Sequence, residues 1–308
     1  MKHTLSPKDL ADAVGVSESS LKRWADEGLV HVSRTAGGHR RITIAEAIRY
    51  IRQAGLPIVN PAALGIADLT KLAPELLTRP NSADQPLVDA VMNGNAELAR
   101  GIAISMFITG RSISEICDGP LTRAMHAVGD LWKHSQAGIL IEHRATDICA
   151  QALHQIRGLL PTPDSKAPGA TGGTPAGDPY MLTSLMAATV LAGEGWREEN
   201  LGPDIPLELM PEAAQRHRAS LVWISICTEQ DNEKLAPRIV ELGQQLRPIG
   251  ATLAVGGRMM PPRPMLISDN VHAIASMSEL AAFARGVRTS LAQAQAQTAS
   301  PASVPPTM

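Results

Sequence analysis

Cysteine is scarce in this chain of 308 residues, and the few cysteines lie far apart. They are Cys117, Cys149 and Cys227, and no Cys-x-x-Cys pair occurs. This pattern excludes a disulfide framework and a cysteine-rich zinc site, and it is typical of proteins from a reducing compartment. We therefore predict a cytoplasmic protein without a metal site.

Long apolar runs are also missing. No segment approaches the roughly 20 apolar residues of a membrane-spanning helix, and the N-terminus lacks an apolar signal region. We therefore expect no membrane partner. The hydrophobic content of 44% and the charged content of 19% are ordinary for a globular protein, and the length suggests two or three domains.

The net charge is small but unevenly distributed. The whole chain has a formal charge of −2, which excludes a general polyanion binder. Residues 1–60, however, contain nine Lys and Arg against six Asp and Glu, with three histidines besides. A locally basic segment of this kind indicates a nucleic-acid surface.

The first part of this basic segment has the pattern of a helix-turn-helix. Ser6, followed by a proline, supplies an N-cap, and Gly15 ends the first helix. Ser17 caps a second helix that ends at Gly28. This geometry places the second helix in the major groove of DNA. The candidate DNA contacts on its exposed side are Ser19, Ser20, Lys22 and Arg23.

A glycine-rich loop follows between two short predicted strands, at 29–33 and 41–43, and a helix is predicted at Ile44–Ala54. Glycines flanked by arginines suit a wing that lies along the phosphate backbone. The candidate DNA contacts in this wing are Arg34, His39, Arg40 and Arg41.

These features resemble the MerR family of winged-helix regulators. The resemblance rests on the helix-turn-helix at Ser6–Glu27, the Gly-Leu-Val after it and the Gly-Gly-His-Arg-Arg wing. It implies binding to double-stranded operator DNA. MerR regulators that sense metals carry cysteines in a C-terminal helix and loop, and no such cluster occurs here. The long C-terminal region is therefore expected to do the sensing.

Five prolines punctuate residues 56–86 and predict a linker with short helical pieces. A long helical pattern then begins at Leu87. Breaks at glycines favour antiparallel packing into a four-helix bundle. The predicted helices lie near 86–93, 95–109, 112–118, 120–134 and 138–160, with breaks at Gly94, Gly110, Gly119 and Gly138.

One pattern in the bundle has two interpretations. Trp132 is followed after nine residues by Glu142 and His143. A loop that folds the two helices together would bring an aromatic face and a carboxylate–imidazole pair over one pocket. The alternative is a core tryptophan beside a surface network of Asp130, Glu142 and His143.

The C-terminal region alternates between predicted strands and helices. Its best buried strand is Leu221–Cys227, and strands are also predicted near Trp196–Asn200, Thr252–Val255 and Val271–Ala275. Alternation of this kind predicts a doubly wound, Rossmann-like parallel sheet, in which ligands bind at the carboxyl ends of the strands. The candidate ligand-binding residues there are Asp178, Tyr180, Thr183, Ser225, Gly256 and Gly257.

The spacing of these residues resembles that of the cobalamin-binding fold family, which has Asp-x-His-x-x-Gly, Ser-x-Leu and Gly-Gly. Here 41 residues separate Thr183 from Ser225, and 28 separate Cys227 from Gly256. The Trp-x9-Glu-His pattern resembles the light-sensing, cobalamin-dependent MerR regulators of the CarH/LitR type. In that family the bundle caps a corrinoid, and the Trp and the Glu-His pair contact its adenosyl group. Carried over, those roles fall on Trp132, Glu142 and His143.

Two departures fall on the cobalt chemistry. Tyr180 stands where the family has its cobalt-ligating histidine, and Thr183 replaces a glycine. Lys133 stands where the photoproduct's histidine is expected, with His134 one residue later. A phenol with a pKa near ~10 is a poor cobalt ligand. Three interpretations stay open: cobalamin without a protein ligand, another ligand such as a different tetrapyrrole or a nucleotide-like molecule, or an empty scaffold that acts through a protein partner.

We thus predict a multidomain α and α/β regulator that binds DNA as a homo-oligomer, because one small head reads too few base pairs. The expected function is ligand- or light-responsive repression. The rivals are an antirepressor and a corrinoid-dependent methyltransferase module; Tyr180 and the head argue against an enzyme, and no catalytic residue is predicted.

The predicted segments are a DNA-binding head (1–56), a linker (57–85), a four-helix bundle (86–160), a second linker (161–176), a cobalamin-binding-like α/β domain (177–290) and a disordered tail (291–308).

Overall fold

The computed structural model describes residues 4–78, 83–132 and 137–299. The chain divides into two compact units, Met1–Pro163 and Asp164–Met308. Within the described ranges, no helix combines the length and the apolar character that crossing a bilayer requires.

The first unit begins with a small winged helix-turn-helix, hereafter the head. A capping box between Ser6 and Asp9 starts its first helix, and Gly15, at φ 74°, ends it. Three short strands form an antiparallel sheet in the order β1-β3-β2. The elements of the head are β1 (Thr4–Leu5), α1 (Pro7–Val14), α2 (Glu18–Asp26), β2 (Ser33–Arg34), β3 (Arg40–Thr43) and α3 (Ile44–Ala54).

Residues 57–78, hereafter the strap, contain the short helical pieces that were predicted within the linker at 57–85. Pro61 and Pro74 each begin one of these pieces. The strap contains 3-10 turns at Pro61–Leu64 and Ala67–Leu69 and helix α4 (Pro74–Thr78). Its buried residues are Ile58, Leu64, Ile66, Leu69, Leu72 and Leu77.

The rest of the first unit is the predicted four-helix bundle. Helices α5 and α9 each pack against both α6 and α8, which closes the ring. The bundle contains α5 (Asp84–Met92), α6 (Ala96–Ile108), α7 (Ile113–Ile116), α8 (Thr122–Trp132) and α9 (Ala137–Arg157).

The predicted break at Gly119 is wrong. A π-helical turn at Cys117–Leu121 carries the chain from α7 into α8 without an interruption at Gly119. Pro120 lies in this turn and has no N–H to donate, so the helix widens there instead of ending. Helix α9 begins at Ala137, within one residue of the predicted break at Gly138.

The second unit is a doubly wound α/β domain, as predicted. Its five strands are parallel and lie in the order β5-β4-β6-β7-β8. The elements are β4 (Gly169–Pro175), α10 (Met181–Gly193), β5 (Arg197–Ile205), α11 (Met210–Arg216), β6 (Ala219–Ser225), α12 (Asn232–Leu246), β7 (Thr252–Gly256), β8 (Val271–Ala273) and α13 (Met277–Ala299).

Strand β4 corrects the prediction of a linker at 161–176. All seven of its residues are buried, between β5 and β6. Its glycine-rich composition is typical of a loop, but the fold needs the glycines because neighbouring strands approach closely. A Cβ at Gly172 would lie 2.2 Å from the carbonyl oxygen of Trp223, and one at Gly173 would lie 2.4 Å from that of Gly202.

Two further boundaries differ from the prediction. Strand β5 continues to Ile205, beyond the strand predicted near Trp196–Asn200. Helix α13 extends to Ala299, so residues 291–299 of the predicted disordered tail are helical. Alanine and glutamine are good helix formers, which explains how this uncharged stretch continues the helix. Residues 300–308 of that tail lie outside the described residues.

Candidate DNA interface and ligand rim

The exposed side of α2 contains the predicted DNA contacts. Ser17 caps the helix by accepting a hydrogen bond from the backbone N–H of Ser20. Lys22 pairs with Glu18 at 2.8 Å, and Arg23 lies 3.8 Å from Glu27. The two basic side chains are 53% and 69% exposed, which leaves them accessible to DNA. Ser19 is exposed and Ser20 is half-buried.

The wing is a tight loop between β2 and β3. The backbone N–H of Thr35 donates to the carbonyl of His39 at 2.9 Å, and Gly38 takes a φ of 79° that favours glycine. Arg34 and His39 are exposed, while Arg41 is half-buried. The loop thus presents basic side chains on a short rigid hairpin, as phosphate contact requires.

Arg40 differs from the other arginines of the wing because it has partners inside the head. Its Nη2 donates to Asp26 Oδ1 at 2.6 Å, and its Nη1 donates to the carbonyl oxygen of Lys22 at 3.3 Å. The side chain is 22% exposed. Arg40 therefore ties the wing to the C-terminal end of α2, a role that the sequence pattern did not indicate.

The structure describes only part of the pocket that was predicted in the bundle. Trp132 ends α8, and only its backbone is described; Lys133 and His134 lie outside the described residues. Glu142 is half-buried and His143 is exposed, in the second turn of α9. The meeting of Trp132 with the Glu-His pair therefore stays a prediction. Leu140, two residues before Glu142 in the same helix, has a large apolar side chain that is 73% exposed.

In the second unit, the predicted ligand-binding residue Asp178 and two residues outside that prediction follow neighbouring parallel strands at their carboxyl ends. Asp178 follows β4, Cys227 follows β6 and Arg258 follows β7. Strands β4 and β6 are adjacent although β5 lies between them in sequence, so this is the topological switch point of the sheet, where doubly wound folds bind ligands. We call Asp178, Tyr180, Thr183, Cys227 and Arg258 the rim.

Asp178 is fully buried and accepts hydrogen bonds with both carboxylate oxygens. Oδ2 accepts from the backbone N–H groups of Cys227 and Thr228, at 2.5 and 3.0 Å. Oδ1 accepts from the hydroxyl of Thr228 and from the backbone N–H of Tyr180, both at 3.1 Å. Four donors satisfy this buried charge, so Asp178 joins the turn after β4 to the loop after β6.

Tyr180 and Thr183, the two positions that depart from the cobalamin pattern, both contact other residues of the rim. The guanidinium of Arg258 lies over the Tyr180 ring, 5.5 Å from its centroid, and Arg258 Nε donates to the carbonyl oxygen of Cys227 at 2.9 Å. The Cys227 thiol donates to the Thr183 hydroxyl at 3.1 Å. Burial raises the pKa of Cys227, although the hydrogen bond with Thr183 opposes the shift, so a neutral thiol is favoured.

The serine and glycine positions of the pattern are explained by the packing of the chain itself. Ser225 is 4% exposed at the end of β6 and lies in register with Gly256. Gly257 has a φ of +103°, and a Cβ there would lie 2.2 Å from the carbonyl oxygen of Ile226. Gly257 is therefore needed to bring the loop after β7 against the residue that follows β6, whatever the domain binds.

The rim does not fit a corrinoid held by a protein imidazole. It supplies a phenol covered by a guanidinium instead of an imidazole, and the Thr183 hydroxyl is bonded where the family has a glycine. Among the described residues, no group of three or more His, Cys, Asp or Glu side chains is arranged to hold a metal ion. The five residues of the rim include no imidazole.

Comparison with known families matches two parts of the first unit. Residues 6–42 match the MerR family regulatory protein family, and residues 84–157 match the B12 binding domain. The chain combines a MerR-type head with a B12-type bundle.

One curated protein is similar to part of this chain. Dimethylamine corrinoid protein 1 of Methanosarcina acetivorans is 25% identical over 114 residues, which are 36% of this chain and 54% of that protein. The chain thus spans about half the length of this curated relative.

Two solved structures are also similar. The Methanosarcina barkeri monomethylamine corrinoid protein has 18% identity and a TM-score of 0.47, with 66% of this chain and 96% of that chain covered. The methanol:cobalamin methyltransferase complex of the same organism has 14% identity and a TM-score of 0.37, with 75% and 93% covered.

Proposed function

We propose that this chain is a sequence-specific, DNA-binding transcriptional regulator whose operator binding is controlled through its C-terminal sensory region. The MerR-type head on the same chain as a B12-type bundle is the observation that carries the proposal. Helix α2 enters the major groove, and the wing arginines contact phosphates on one side of it. A homo-oligomer presents two heads to a repeated operator.

The rim favours one form of control over the others. Its side chains bond to one another, and Tyr180 supplies no imidazole for cobalt. This favours a regulator that responds to a protein partner, or to a ligand other than a histidine-ligated corrinoid. The same observation argues against a methyl-transferring corrinoid enzyme, since that chemistry needs a controlled ligand on the metal.

Selection of DNA from a random duplex pool with the purified full-length protein tests the proposal. We expect enrichment of a repeated motif and mobility-shift binding that weakens as salt rises. Lys22→Ala with Arg23→Ala in α2 serves as the matched variant, and it is expected to reduce the preference for the motif over random DNA. A pool that stays random after repeated selection would refute DNA reading by this head.

A further inference from the structure

Arg52, in the last turn of α3, joins the head to the bundle. Its Nη1 donates to the carbonyl oxygen of Arg111 at 3.0 Å, and its guanidinium carbon lies 4.1 Å from the centroid of the Phe107 ring. Phe107 is 5% exposed, so the cation lies over a buried aromatic face. Burial lowers the pKa of Arg52, with the nearby charge of Glu115 opposing the shift. A desolvated cation–π contact of this kind holds its geometry better than an exposed ion pair does.

A second attachment runs from the head to the strap. The backbone N–H groups of Val59 and Asn60 both donate to the carbonyl oxygen of Ala13 in α1, at 2.8 and 3.1 Å. The Val59 side chain also lies against Gly15, where a Cβ would be only 2.9 Å from Val59 Cγ2. The start of the strap is therefore fastened to the first helix of the helix-turn-helix.

The strap is in turn fastened to the bundle. Arg100, in α6, donates to both carboxylate oxygens of Asp68, at 3.0 and 3.2 Å, and this paired geometry is specific as well as strong. Gly101 lets the strap backbone approach α6, because a Cβ there would lie 2.5 Å from the carbonyl oxygen of Asp68. The Ser105 hydroxyl donates to the carbonyl oxygen of Leu76 at 2.7 Å.

The head is thus held at two points that lie on different helices, α3 directly and α1 through the strap. A single attachment would let the head rotate about that point, whereas two attachments on different helices restrict this rotation. Resting on the proposed function, we infer that Arg52 and the strap set the orientation of the DNA-reading head on the bundle, so that the bundle determines the half-site spacing an oligomer accepts. Arg52 is a positioning residue in this account, since it touches no DNA itself.

The consequence is a rule for operator choice. Heads on flexible linkers accept half-sites at several separations, because the linker adapts at small entropic cost. Heads with a fixed orientation accept one separation, set by the geometry of the oligomer, as other dimeric helix-turn-helix proteins do. Operators with a wrong spacer are then bound through one head alone.

Duplexes that carry two copies of the selected half-site, separated by spacers of different lengths, test the inference. We expect the wild type to prefer one spacing, and Arg52→Ala to reduce that preference about 5–30-fold, the range for losing a cation–π contact and a charge-assisted hydrogen bond. The affinity for a single half-site should stay within about twofold, since Arg52 lies outside the DNA interface. Arg52→Lys and Phe107→Leu should act in the same direction more weakly. Arg123→Ala, which removes an arginine that pairs with Asp84 in the bundle, should leave the preference unchanged.

A distance measurement without DNA separates this inference from the proposed function. Spin labels at Thr35→Cys on the wing and His154→Cys on α9 occupy exposed positions, while the three native cysteines are buried. We expect a narrow distance distribution in the wild-type background and a broad one with Arg52→Ala. A distribution that stays narrow, or a spacing preference that survives the substitution, would overturn the inference. A wild type that binds no half-site would overturn the proposed function instead.

Discussion

The guanidinium of Arg258 lies over the ring of Tyr180 at 5.5 Å, where the resemblance to cobalamin-binding domains implies a cobalt-ligating histidine. Arg258 is itself fixed by the carbonyl oxygen of Cys227, and Asp178 is saturated by four donors. The residues of the rim therefore bond to each other in this chain. The parallel sheet of the pattern is present, and Tyr180 and Thr183 occupy the two positions where the pattern has a histidine and a glycine.

This relationship predicts how the protein behaves with a corrinoid. We expect wild-type protein, incubated with adenosylcobalamin in the dark and then desalted, to lose the visible corrinoid absorbance. Tyr180→His combined with Thr183→Gly should retain it, since an imidazole binds cobalt well and a glycine frees the space of the Thr183 side chain. Tyr180→Phe serves as the control and should behave as the wild type does. Stoichiometric corrinoid on the wild type, lost in Tyr180→Phe, would show that the phenol is a ligand after all.

The wing arginines are expected to act in two different ways. Arg34→Ala and Arg41→Ala should weaken binding uniformly across sequences, and each lost phosphate contact should reduce the slope of log K against log salt by about 0.9. Arg40→Ala should instead displace the wing, because Arg40 bonds to Asp26 and to the carbonyl of Lys22. Mobility shifts over a range of salt separate the two effects. Asp26→Asn should reproduce the Arg40→Ala defect, and the two changes together should be less than additive.

Local patterns in the sequence predicted most of the elements. The helix predicted at Ile44–Ala54 is confirmed at those bounds, because a capping threonine and a terminal glycine mark its ends. The parallel α/β fold is confirmed by the five-stranded sheet. Caps, breakers and apolar periodicity are properties of short segments, so a sequence shows them directly.

The sequence did not predict features that depend on contacts between distant segments. Strand β4 has the composition of a loop, and the close approach of β5 and β6 on its two sides explains Gly172 and Gly173. The pairings of Arg258 with Tyr180 and of Arg52 with Phe107 join positions far apart in the chain. The one sequence signal for a role of Arg258 was its position, because it directly follows the predicted Gly256-Gly257 pair.

The bundle should lose stability in acid through Asp84. Burial opposes ionisation of Asp84, but hydrogen bonds from Arg123 and Arg111 outweigh it, so the pKa of Asp84 lies below its ordinary value. A carboxylate with a lowered folded-state pKa stabilises the fold above its unfolded-state pKa, about 3.9, and this contribution is lost as the pH falls through the folded-state value. Asp84→Asn should therefore cost about 1–2 kcal/mol at pH 7 and progressively less below pH ~4.

Urea unfolding of the full chain, followed by circular dichroism from pH 7 down to about pH 2.5, measures this difference across the relevant range. Asp12→Asn provides the matched control, because Asp12 is an exposed carboxylate of the same unit. A difference between wild type and Asp84→Asn that stays constant over the whole range would contradict the ionic role of Asp84.

Adding a single methyl group at Gly101, where the strap packs against α6, tests that contact. Gly101→Ala places a Cβ 2.5 Å from the carbonyl oxygen of Asp68, so the strap has to move away from the helix. We expect a loss of about 1–3 kcal/mol, as for other overpacked sites, together with faster hydrogen exchange in the strap. Gly129→Ala is the control, since, among the described residues, no atom beyond its chain neighbours and the nearby backbone of its own helix lies within 4 Å of a Cβ at this position in α8. That change should stabilise the helix by about 0.4–1 kcal/mol. Calorimetry and hydrogen exchange on both variants test this prediction. Equal effects on stability would mean that the strap does not pack tightly against α6. The head would then lack its second attachment to the bundle, the one that runs through the strap.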